Sequence, residues 1–591
     1  MTTAQPTISR YLWAADRQAT WIPADGLVGN RYQVISPQLW LDTKPQEPPD
    51  LLFPLPNQAL AYAHLYQYRL HIPQLHGFCP MIATSGEEIE IPLLENMPID
   101  LDGKLMPSLV EEWSTATPLN QAYWLWQIIN LWAPLAGTGV LSSLVVMDNL
   151  RVDGWRMRLC ELIPDHTMGN NKVTLAKLGT LWLQTFPGAA PEIADRLHAL
   201  LLKMQSEKAS LRDVSAELNQ IVLEQTANVP LMWQIAGGTD AGANHQHNED
   251  SYYPTSLELA QDPTGGKFAI ICDGIAGHEG GEVASQLAVK LLKIQIQNLF
   301  DDLVDRQDTA TPEQICKTIA AIVRVVNNTI TAQNQSQRRE DRHRMGTTMV
   351  MAAQVNQRVP SINGIANAHE IYIAHVGNSR AYWITADQCQ LLTIDDDIAT
   401  REVKQGRDVP WHSISHPGAT VLTQVLGMKV GEMINPTVQR FMAIEDGILL
   451  LCSDGLSNRH LVESSWQEYA DNILHQGILL DEAVQSWLAL AHQKNGNDNI
   501  SLVLMSCQVS PQISIPNVNS SQIISIGKNN RHSANFSESR LTLLKKKTSS
   551  VPLLVTAIIG LLLAIVIAAG MLRPNPPKTG SVSPNQIERH Q

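Results

Sequence analysis

Short apolar runs separated by glycine-bearing turns follow one another through residues 231–509 of the chain. Five of these runs predict β-strands, at residues 268–272, 349–355, 370–376, 448–452 and 500–506. Longer stretches with helical spacing of apolar positions, residues 282–300 and 313–333, lie between them. Adjacent strand pairs with segregated helices are typical of an α+β domain with an antiparallel core.

Residues 1–230 differ from this second part in composition and in the pattern of apolar positions. They are rich in Trp, Leu and Pro and contain long helical patterns at residues 118–133 and 192–208. We therefore expect a separate N-terminal α+β domain at residues 1–230, with its boundary near residues 228–232, and a second domain at residues 231–509.

Residues 551–572 form a run of twenty-two residues without a charged side chain. As a helix this run is about 33 Å long, enough for a hydrocarbon core of roughly 30 Å. A buried core helix is the alternative, but such helices rarely stay apolar on every face over this length. The pattern predicts one C-terminal transmembrane helix, followed by a short tail at residues 573–591.

The net charge of −14 is the difference between an acidic body and a basic tail. From residue 510 onward nine Lys/Arg face two Asp/Glu, a local +7, which leaves −21 for residues 1–509. The acidic body excludes a basic nucleic-acid-binding protein. Lys545, Lys546 and Lys547 directly precede the apolar run, so the positive-inside rule places residues 1–550 in the cytoplasm. Residues 510–550, rich in Ser and Asn, are expected to form a flexible basic tether, either solvated or in contact with anionic lipid.

The seven cysteines are dispersed, and no Cys-x-x-Cys pair is present. This pattern indicates reduced thiols in a cytosolic compartment rather than disulfides or a zinc site. The N-terminus lacks a basic segment followed by an apolar run, so no signal peptide is expected.

Acidic residues recur at the ends of the predicted strands. Asp273 and Asp454 each come at the end of a strand and directly before a glycine, and Asp498 comes just before the last strand. Glu249 and Asp250 form a further acidic pair ahead of the first strand. Carboxylate oxygens without His or Cys partners favour Mg²⁺ or Mn²⁺ over zinc. One Asp-Gly pair alone is usually a turn, but several at strand ends in one domain predict a metal centre.

Residues 237–507 resemble the metal-dependent protein phosphatases of type 2C, the PPM family, in their bacterial form. The resemblance rests on motifs that occur in the family's order. They are Thr239-Asp-Ala-Gly242 with Asn248-Glu-Asp250, Asp273-Gly-Ile-Ala-Gly-His-Glu-Gly-Gly-Glu282-Val-Ala-Ser285, Met345-Gly-Thr-Thr348, Gly377-Asn-Ser-Arg380, Leu422-Thr-Gln-Val-Leu-Gly427, Cys452-Ser-Asp-Gly455 and Asp498-Asn499-Ile500.

The resemblance implies a two-layer β-sandwich flanked by helices, with two Mn²⁺ or Mg²⁺ ions at one end. Asp273 would bridge the two ions and the Gly274 carbonyl would bind one of them. Asp454 and Asp498 would bind the other, and Glu249 and Asp250 would hold metal-bound waters. Two cations would lower the pKa of a bridging water, which attacks phosphorus in line without a phosphoenzyme. His278 is the candidate for protonating the leaving alkoxide, with a structural hydrogen bond at a helix start as the alternative.

The chain departs from the family pattern at three places. His245 stands where the family usually has an arginine that grips the substrate phosphate, and an imidazole cannot offer a bidentate fork. Phosphate binding is therefore expected to be weaker or more pH-sensitive. Asn378 replaces an aspartate that supports a third metal, which makes that third site doubtful because an amide is a poorer ligand. Three consecutive aspartates, residues 395–397, replace the usual Asp-His-Ser, and a solvated acidic loop is expected there, with cation recruitment as the alternative.

The N-terminal region contains faint resemblances to protein kinases. The segment Gly29-Asn-Arg-Tyr32-Gln-Val-Ile35 resembles the strand that opens a kinase domain, residues 138–153 resemble a catalytic-loop region, and Glu161 stands where the metal-binding aspartate is expected. No glycine-rich phosphate loop, His-Arg-Asp or Asp-Phe-Gly is present, so this region lacks the residues with which kinases transfer a phosphoryl group from ATP. A degenerate kinase-like regulatory or docking module is expected. The alternative is an unrelated helical domain in which Trp124, Trp126 and Trp132 belong to the core.

The resemblance implies a serine/threonine phosphoprotein phosphatase, dependent on Mn²⁺ or Mg²⁺ and tethered to a membrane. Its substrates would be proteins carrying phosphoserine or phosphothreonine. A catalytically weak or inactive relative that binds phosphoproteins as a scaffold is the alternative, motivated by His245 and Asn378.

Overall fold

The computed structural model describes residues 10–509, apart from residues 83–85, 101, 169–171, 207–208, 230, 262–266, 276–279, 307, 362–363 and 497. Within these residues no helix is long and apolar enough to cross a bilayer. The predicted tether, transmembrane helix and tail, residues 510–591, lie outside the described residues. All seven cysteines lie within the described residues, and none of them forms a disulfide.

The N-terminal region begins with an antiparallel sheet. Its strands are β1 (Arg10–Ala14), β2 (Leu27–Val28), β3 (Tyr32–Ser36), β4 (Leu39–Asp42), β5 (Gln74–Ile82) and β6 (Glu88–Glu95). They pair in the order β2-β3-β4-β1-β6-β5, so the first strand of the chain lies inside the sheet. A separate hairpin is formed by β7 (Leu150–Asp153) and β8 (Arg156–Leu159).

Six α-helices lie in the described part of this region. They are α1 (Asn57–His64), α2 (Leu109–Glu112), α3 (Pro118–Gly137), α4 (Leu175–Thr185), α5 (Pro191–Gln205) and α6 (Leu211–Thr226). Helix α3 begins where the Thr117 side chain accepts the N–H of Asn120, and Pro118 occupies the first turn, where a missing N–H costs little. Trp124 is buried, and Trp126 and Trp132 are partly buried against the same core, so these tryptophans serve packing.

Residues from Met232 onward form two five-stranded antiparallel sheets. The strands are β9 (Met232–Asp240), β10 (Ser251–Tyr253), β11 (Phe268–Cys272), β12 (Met349–Ser361), β13 (Gly364–Val376), β14 (Arg380–Ile384), β15 (Cys389–Leu391), β16 (Thr437–Phe441), β17 (Gly447–Cys452) and β18 (Ile500–Gln508). One sheet has the order β10-β11-β12-β13-β16 and the other has the order β15-β14-β17-β18-β9. All five predicted strands are confirmed, most of them extended by a few residues.

The described α-helices of this region are α7 (Ser256–Gln261), α8 (Gly281–Asp305), α9 (Pro312–Ser336), α10 (Ile398–Lys404), α11 (Pro410–Ser413), α12 (Asp454–Ser457), α13 (Leu461–Leu474) and α14 (Leu480–Asn495). Helices α8, α9, α13 and α14 cover the outer faces of the two sheets, whereas α10 and α11 contact the N-terminal region. One face of each strand packs on helices: Ile270 belongs to a core shared with α8 and α9, and Leu450 to a core shared with α13 and α14. The opposite faces, with Ile271 and Leu449, share one core between the sheets. Alternation of side chains therefore builds a sandwich with a helical layer on each side.

The N-terminal region packs directly against the sandwich. The Trp155 ring meets the Phe441 ring edge-on at 5.0 Å, and its indole N–H donates to Gln390 Oε1 at 2.9 Å. The Arg440 guanidinium lies over the Trp126 ring at 4.6 Å. Trp155 and Phe441 belong to one continuous hydrophobic core, so the predicted N-terminal domain shares buried surface with its neighbour.

Candidate metal centre

Antiparallel pairing brings four acidic segments to one end of the sandwich. Ser251 lies opposite Cys272 in the β10–β11 pair, so Asp250 and Asp273 are neighbours just beyond it. Cys452 lies opposite Leu502 in the β17–β18 pair, which carries Asp454 and Asp498 to the end of the other sheet. The four predicted carboxylates therefore converge, although nearly 250 residues separate the first from the last.

Two glycines allow the backbone to close around this end. A Cβ atom on Gly274 would come within 2.8 Å of the Glu249 carbonyl oxygen, and one on Gly455 would come within 2.0 Å of the Asn499 carbonyl oxygen. No side chain fits at such distances, so the glycines after Asp273 and Asp454 serve close packing of the strand ends.

Neutral side chains hold the acidic segments in place. The Ser453 hydroxyl donates to Asp250 Oδ2 at 2.8 Å and accepts the N–H of Ser501 at 2.9 Å. The Asn499 side chain accepts the N–H of Glu249 at 2.8 Å and donates to the carbonyl of Ala241 at 2.8 Å. These bonds cross between strands, so each acidic residue is positioned by a partner from a distant part of the chain.

The segment before β12, the strand next to β11 in the same sheet, positions Asp273 through its main chain. The Thr347 hydroxyl donates to the Asp273 carbonyl at 2.8 Å, and the N–H of Thr348 donates to the same oxygen at the same distance. The Thr348 hydroxyl in turn meets the Ser379 hydroxyl at 2.7 Å. The carboxyl group of Asp273 is thereby left to face the other acidic residues.

The carboxyl groups raise one another's pKa values. Burial, with the charge of Asp454 adding to it, raises the pKa of Asp250 to about 7. Burial and the charge of Asp498 raise the pKa of Asp454 to about 6. The pKa of Asp273 lies well above its usual value because of burial and the charge of Asp250. Without a cation this end of the sandwich therefore retains protons at pH values where an exposed aspartate is fully ionised.

The donor set fits hard divalent cations. Glu249 Oε2 and Asp250 Oδ1 are buried and have no hydrogen-bond donor among the described residues. Buried carboxylate oxygens without donors are costly unless a cation or a proton compensates them. Oxygen ligands alone, without imidazole or thiolate, match Mg²⁺ and Mn²⁺.

Asn378 binds Asp454 directly. Its side-chain amide donates to Asp454 Oδ2 at 2.9 Å and lowers the pKa of that carboxyl against the larger effect of burial. The residue therefore acts as a hydrogen-bond donor to a candidate metal ligand.

The expectation of a solvated acidic loop at residues 395–397 is wrong. Asp395 pairs with Arg380, whose Nη2 lies 2.8 Å from Oδ2. Asp396 and Asp397 are each only 6% exposed. Asp396 accepts the N–H of Gly377 at 3.1 Å, and Asp397 caps helix α10 by accepting the N–H of Thr400 at 2.7 Å. Each carboxylate thus has its own donor, from a different part of the fold.

Only one of the two candidate histidines lies within the described residues. His245 is half-buried close to Glu249, since its charge lowers the pKa of that carboxyl against the larger effect of burial. His278 lies outside the described residues. The geometry therefore brings Glu249, Asp250, Asp273, Asp454, Asp498 and His245 into one cluster.

Sequence reasoning missed the residues that hold this cluster. Ser453 and Thr347 are ordinary strand-end residues, and only the pairing of their strands reveals their partners. The sequence signal that could have identified them is their position in family motifs: Ser453 directly precedes Asp454, and Thr347 lies in Met345-Gly-Thr-Thr348.

Part of the chain is similar in sequence to known proteins. A profile of the family described as protein phosphatase 2C matches residues 237–490. The serine/threonine phosphatase stp of Listeria innocua is 29% identical over 267 residues, which are 45% of this chain and 93% of that protein. The protein phosphatase PhpP of Streptococcus pneumoniae is 28% identical over 268 residues, 45% of this chain and 95% of that protein. The solved structure of the serine/threonine phosphatase PstP/Ppp of Mycobacterium tuberculosis aligns at 26% identity with a TM-score of 0.34, covering 46% of this chain and 98% of that one.

Proposed function

We propose that this chain, whose residues 237–490 belong to the protein phosphatase 2C family, hydrolyses phosphoserine and phosphothreonine in proteins with the help of Mn²⁺ or Mg²⁺. It is a serine/threonine protein phosphatase of the metal-dependent type. The observation that carries the metal assignment is the buried convergence of Asp250, Asp273 and Asp454, with two acidic oxygens that have no donor among the described residues.

Four groups are proposed to hold the two ions. They would be the Asp273 carboxylate, which interacts with the charges of Asp250, Asp454 and Asp498, the Gly274 carbonyl, and the carboxylates of Asp454 and Asp498. When bound, the ions would lower the pKa of a water and neutralise phosphate oxygens. Glu249 and Asp250 are proposed to orient water through their donor-free oxygens.

His245 is proposed to contact the substrate phosphate. It is the half-buried basic side chain beside Glu249, and a single imidazole N–H makes one bond where a guanidinium makes two. The result would be weak phosphate binding with an intact metal core. Replacing it by arginine is expected to lower KM for a phosphopeptide and to leave the metal requirement unchanged.

An active enzyme is favoured over an inactive phosphoprotein-binding scaffold. The relatives with similar sequences are phosphatases by name, and every predicted metal ligand reaches the same end of the sandwich. The departures at His245 and Asn378 change the surroundings of the centre and leave its carboxylates in place.

The decisive experiment measures hydrolysis of para-nitrophenyl phosphate and a phosphopeptide by the full chain, with Mn²⁺ and with a chelator. Asp454→Asn is expected to abolish the activity. Asp446→Asn is the matched control, because Asp446 precedes the strand β17 that Asp454 follows, and an amide oxygen can still accept the N–H of Val509. Activity that survives Asp454→Asn or the chelator would contradict the metal assignment.

We also propose that residues 551–572 anchor the enzyme with residues 1–550 in the cytoplasm, and that the N-terminal region is a kinase-like regulatory module. The anchor rests on the uncharged run and the lysines before it. The regulatory role is supported by the buried contacts of Trp155 and Arg440 described above. Membrane fractionation with and without residues 551–572 tests the anchor: enzyme that stays in the membrane fraction without them would contradict it.

A further inference from the structure

A second cluster of ligand-forming side chains lies in the segment that connects β15 to β16. Asp408, His412 and His416 are spaced four residues apart, across the short helix α11 and the turn that follows it. One ligand atom from each lies within 4.8 Å of the others. We propose that these three residues form a binding site for a zinc-type divalent ion, separate from the acidic centre and independent of the proposed phosphatase reaction.

The distances between the three side chains suit a tetrahedral ion. His416 Nε2 lies 3.3 Å from His412 Nδ1 and 3.3 Å from Asp408 Oδ2. Ligands about 2.0–2.1 Å from a tetrahedral Zn²⁺ are separated by roughly 3.3–3.4 Å. His412 Nδ1 lies closer to Asp408 Oδ1, at 2.7 Å, as a hydrogen bond. A zinc ion at the centre of the cluster would take the place of the protons that the three side chains share in these hydrogen bonds.

The chemistry of the ligands distinguishes this site from the acidic centre. Two imidazoles and one carboxylate suit Zn²⁺ and similar borderline ions, whereas the all-oxygen set around Asp273 suits Mg²⁺ and Mn²⁺. The two sites would therefore select different ions from the same solution.

The three side chains differ in exposure in a way that leaves room for a fourth ligand. The Asp408 side chain is 10% exposed, that of His412 is 32% exposed and that of His416 is 53% exposed. Asp408 is anchored by the N–H of Val409 at 2.8 Å, so the buried member is the fixed one. Water or a partner's donor would complete the coordination from the solvent side.

The surroundings place this site where the two regions of the chain meet. The Phe53 ring lies 5.5 Å from the His412 ring, and the Trp411 indole N–H donates to the His76 carbonyl at 2.6 Å. Both partners belong to the N-terminal region. A bound ion would order the segment around α11, which makes these contacts with the N-terminal region.

The experiment measures zinc binding by the full chain with a chromophoric chelator as competitor, in excess Mg²⁺ to occupy the acidic centre. The wild-type protein is expected to bind one equivalent of zinc tightly. His412→Gln and His416→Gln are each expected to weaken that equivalent by at least about 100-fold, because loss of even a supporting partner of a ligand costs about 10- to 100-fold. His475→Gln is the matched control, since Asp471 and His475 form the same i,i+4 pair at 2.9 Å and belong to no such three-residue cluster among the described residues.

A second measurement identifies the ligands without any activity assay. Visible absorption of bound Co²⁺ is expected from the wild type, His475→Gln and Asp454→Asn, and is expected to be lost in His412→Gln and His416→Gln. Because both histidines are partly exposed, unchanged thermal unfolding of these two variants confirms that the fold is intact. Equal zinc binding by all variants, or loss of the tight equivalent in Asp454→Asn alone, would overturn the proposal.

Discussion

Metal removal combined with a change of pH tests the electrostatics of the acidic centre. In the metal-free protein the pKa of Asp250 is raised to about 7 and that of Asp454 to about 6. A carboxyl with a raised pKa favours the folded state below that pKa and loses this contribution as the pH rises through it. These two carboxyl groups therefore lower the folding stability of the metal-free protein at pH 8, where they are charged, and protonation at pH 6 restores part of that stability.

The size of the effect follows from these two values. At pH 6 the Asp250 carboxyl is about nine-tenths protonated and that of Asp454 about half, whereas at pH 8 both are almost fully ionised. A metal ion must displace these protons together with that of Asp273, whose pKa is also raised, so metal binding is expected to be at least about 20-fold weaker at pH 6 than at pH 8. Ordinary aspartates, with a pKa near 4, would give almost no difference.

Titration calorimetry with Mn²⁺ in two buffers of different ionisation enthalpy measures both quantities. We expect at least about one more proton to be released per metal-loading event at pH 6 than at pH 8, because Asp250 and Asp454 lose their protons between these two pH values. The control is His245→Asn, which removes the imidazole beside Glu249 and should keep the pH dependence. Equal affinity at the two pH values, or a pH dependence that disappears in His245→Asn, would refute the assignment to the buried carboxyl groups.

Three further substitutions test the surrounding structure. Ser453→Ala removes the 2.8 Å donor to Asp250. Because a hydrogen bond to a charged group contributes about 1.5–3 kcal/mol, metal titration of this variant should show at least tenfold weaker binding. Ser464→Ala is the control, since the Ser464 hydroxyl donates to the Leu461 carbonyl instead, and it should leave metal affinity unchanged. Arg380→Met leaves Asp395 without its 2.8 Å partner and should lower unfolding stability by about 3–5 kcal/mol, and an unchanged thermal midpoint would contradict the pairing. Trp155→Ala removes the ring contact with Phe441 and should cost about 3–5 kcal/mol, whereas Trp21→Ala, at a site 73% exposed, should leave the midpoint within about 1 °C.

The strands and the acidic centre could be predicted because their signals are local. An apolar run of the right length that ends in Asp-Gly identifies both a buried strand and a carboxylate at its end, as at residues 268–273 and 448–454. Antiparallel pairing then brings such ends together without further information. The candidate metal centre was thus contained in four short acidic segments.

The acidic run at residues 395–397 could not be assigned from local signals. Its partners Arg380, Gly377 and Thr400 lie on three different elements, and a run of like charges is usually solvated. The cluster of Asp408, His412 and His416 was missed for a different reason. Its regular spacing is visible in the sequence, but a turn rather than a long helix brings the third side chain back, and the spacing of apolar residues does not reveal that turn.

The shared core between the N-terminal region and the sandwich sets an order of events during synthesis. Trp155 donates its indole N–H to Gln390, which lies 235 residues later in the chain. At about 5–20 residues per second the ribosome delivers that partner roughly 10 to 50 s after Trp155 itself. During this interval the side of Trp155 that later contacts Gln390 and Phe441 is not covered by the sandwich. The nascent N-terminal region therefore exposes apolar surface of the kind that chaperones bind until β15, and then β16, has been synthesised.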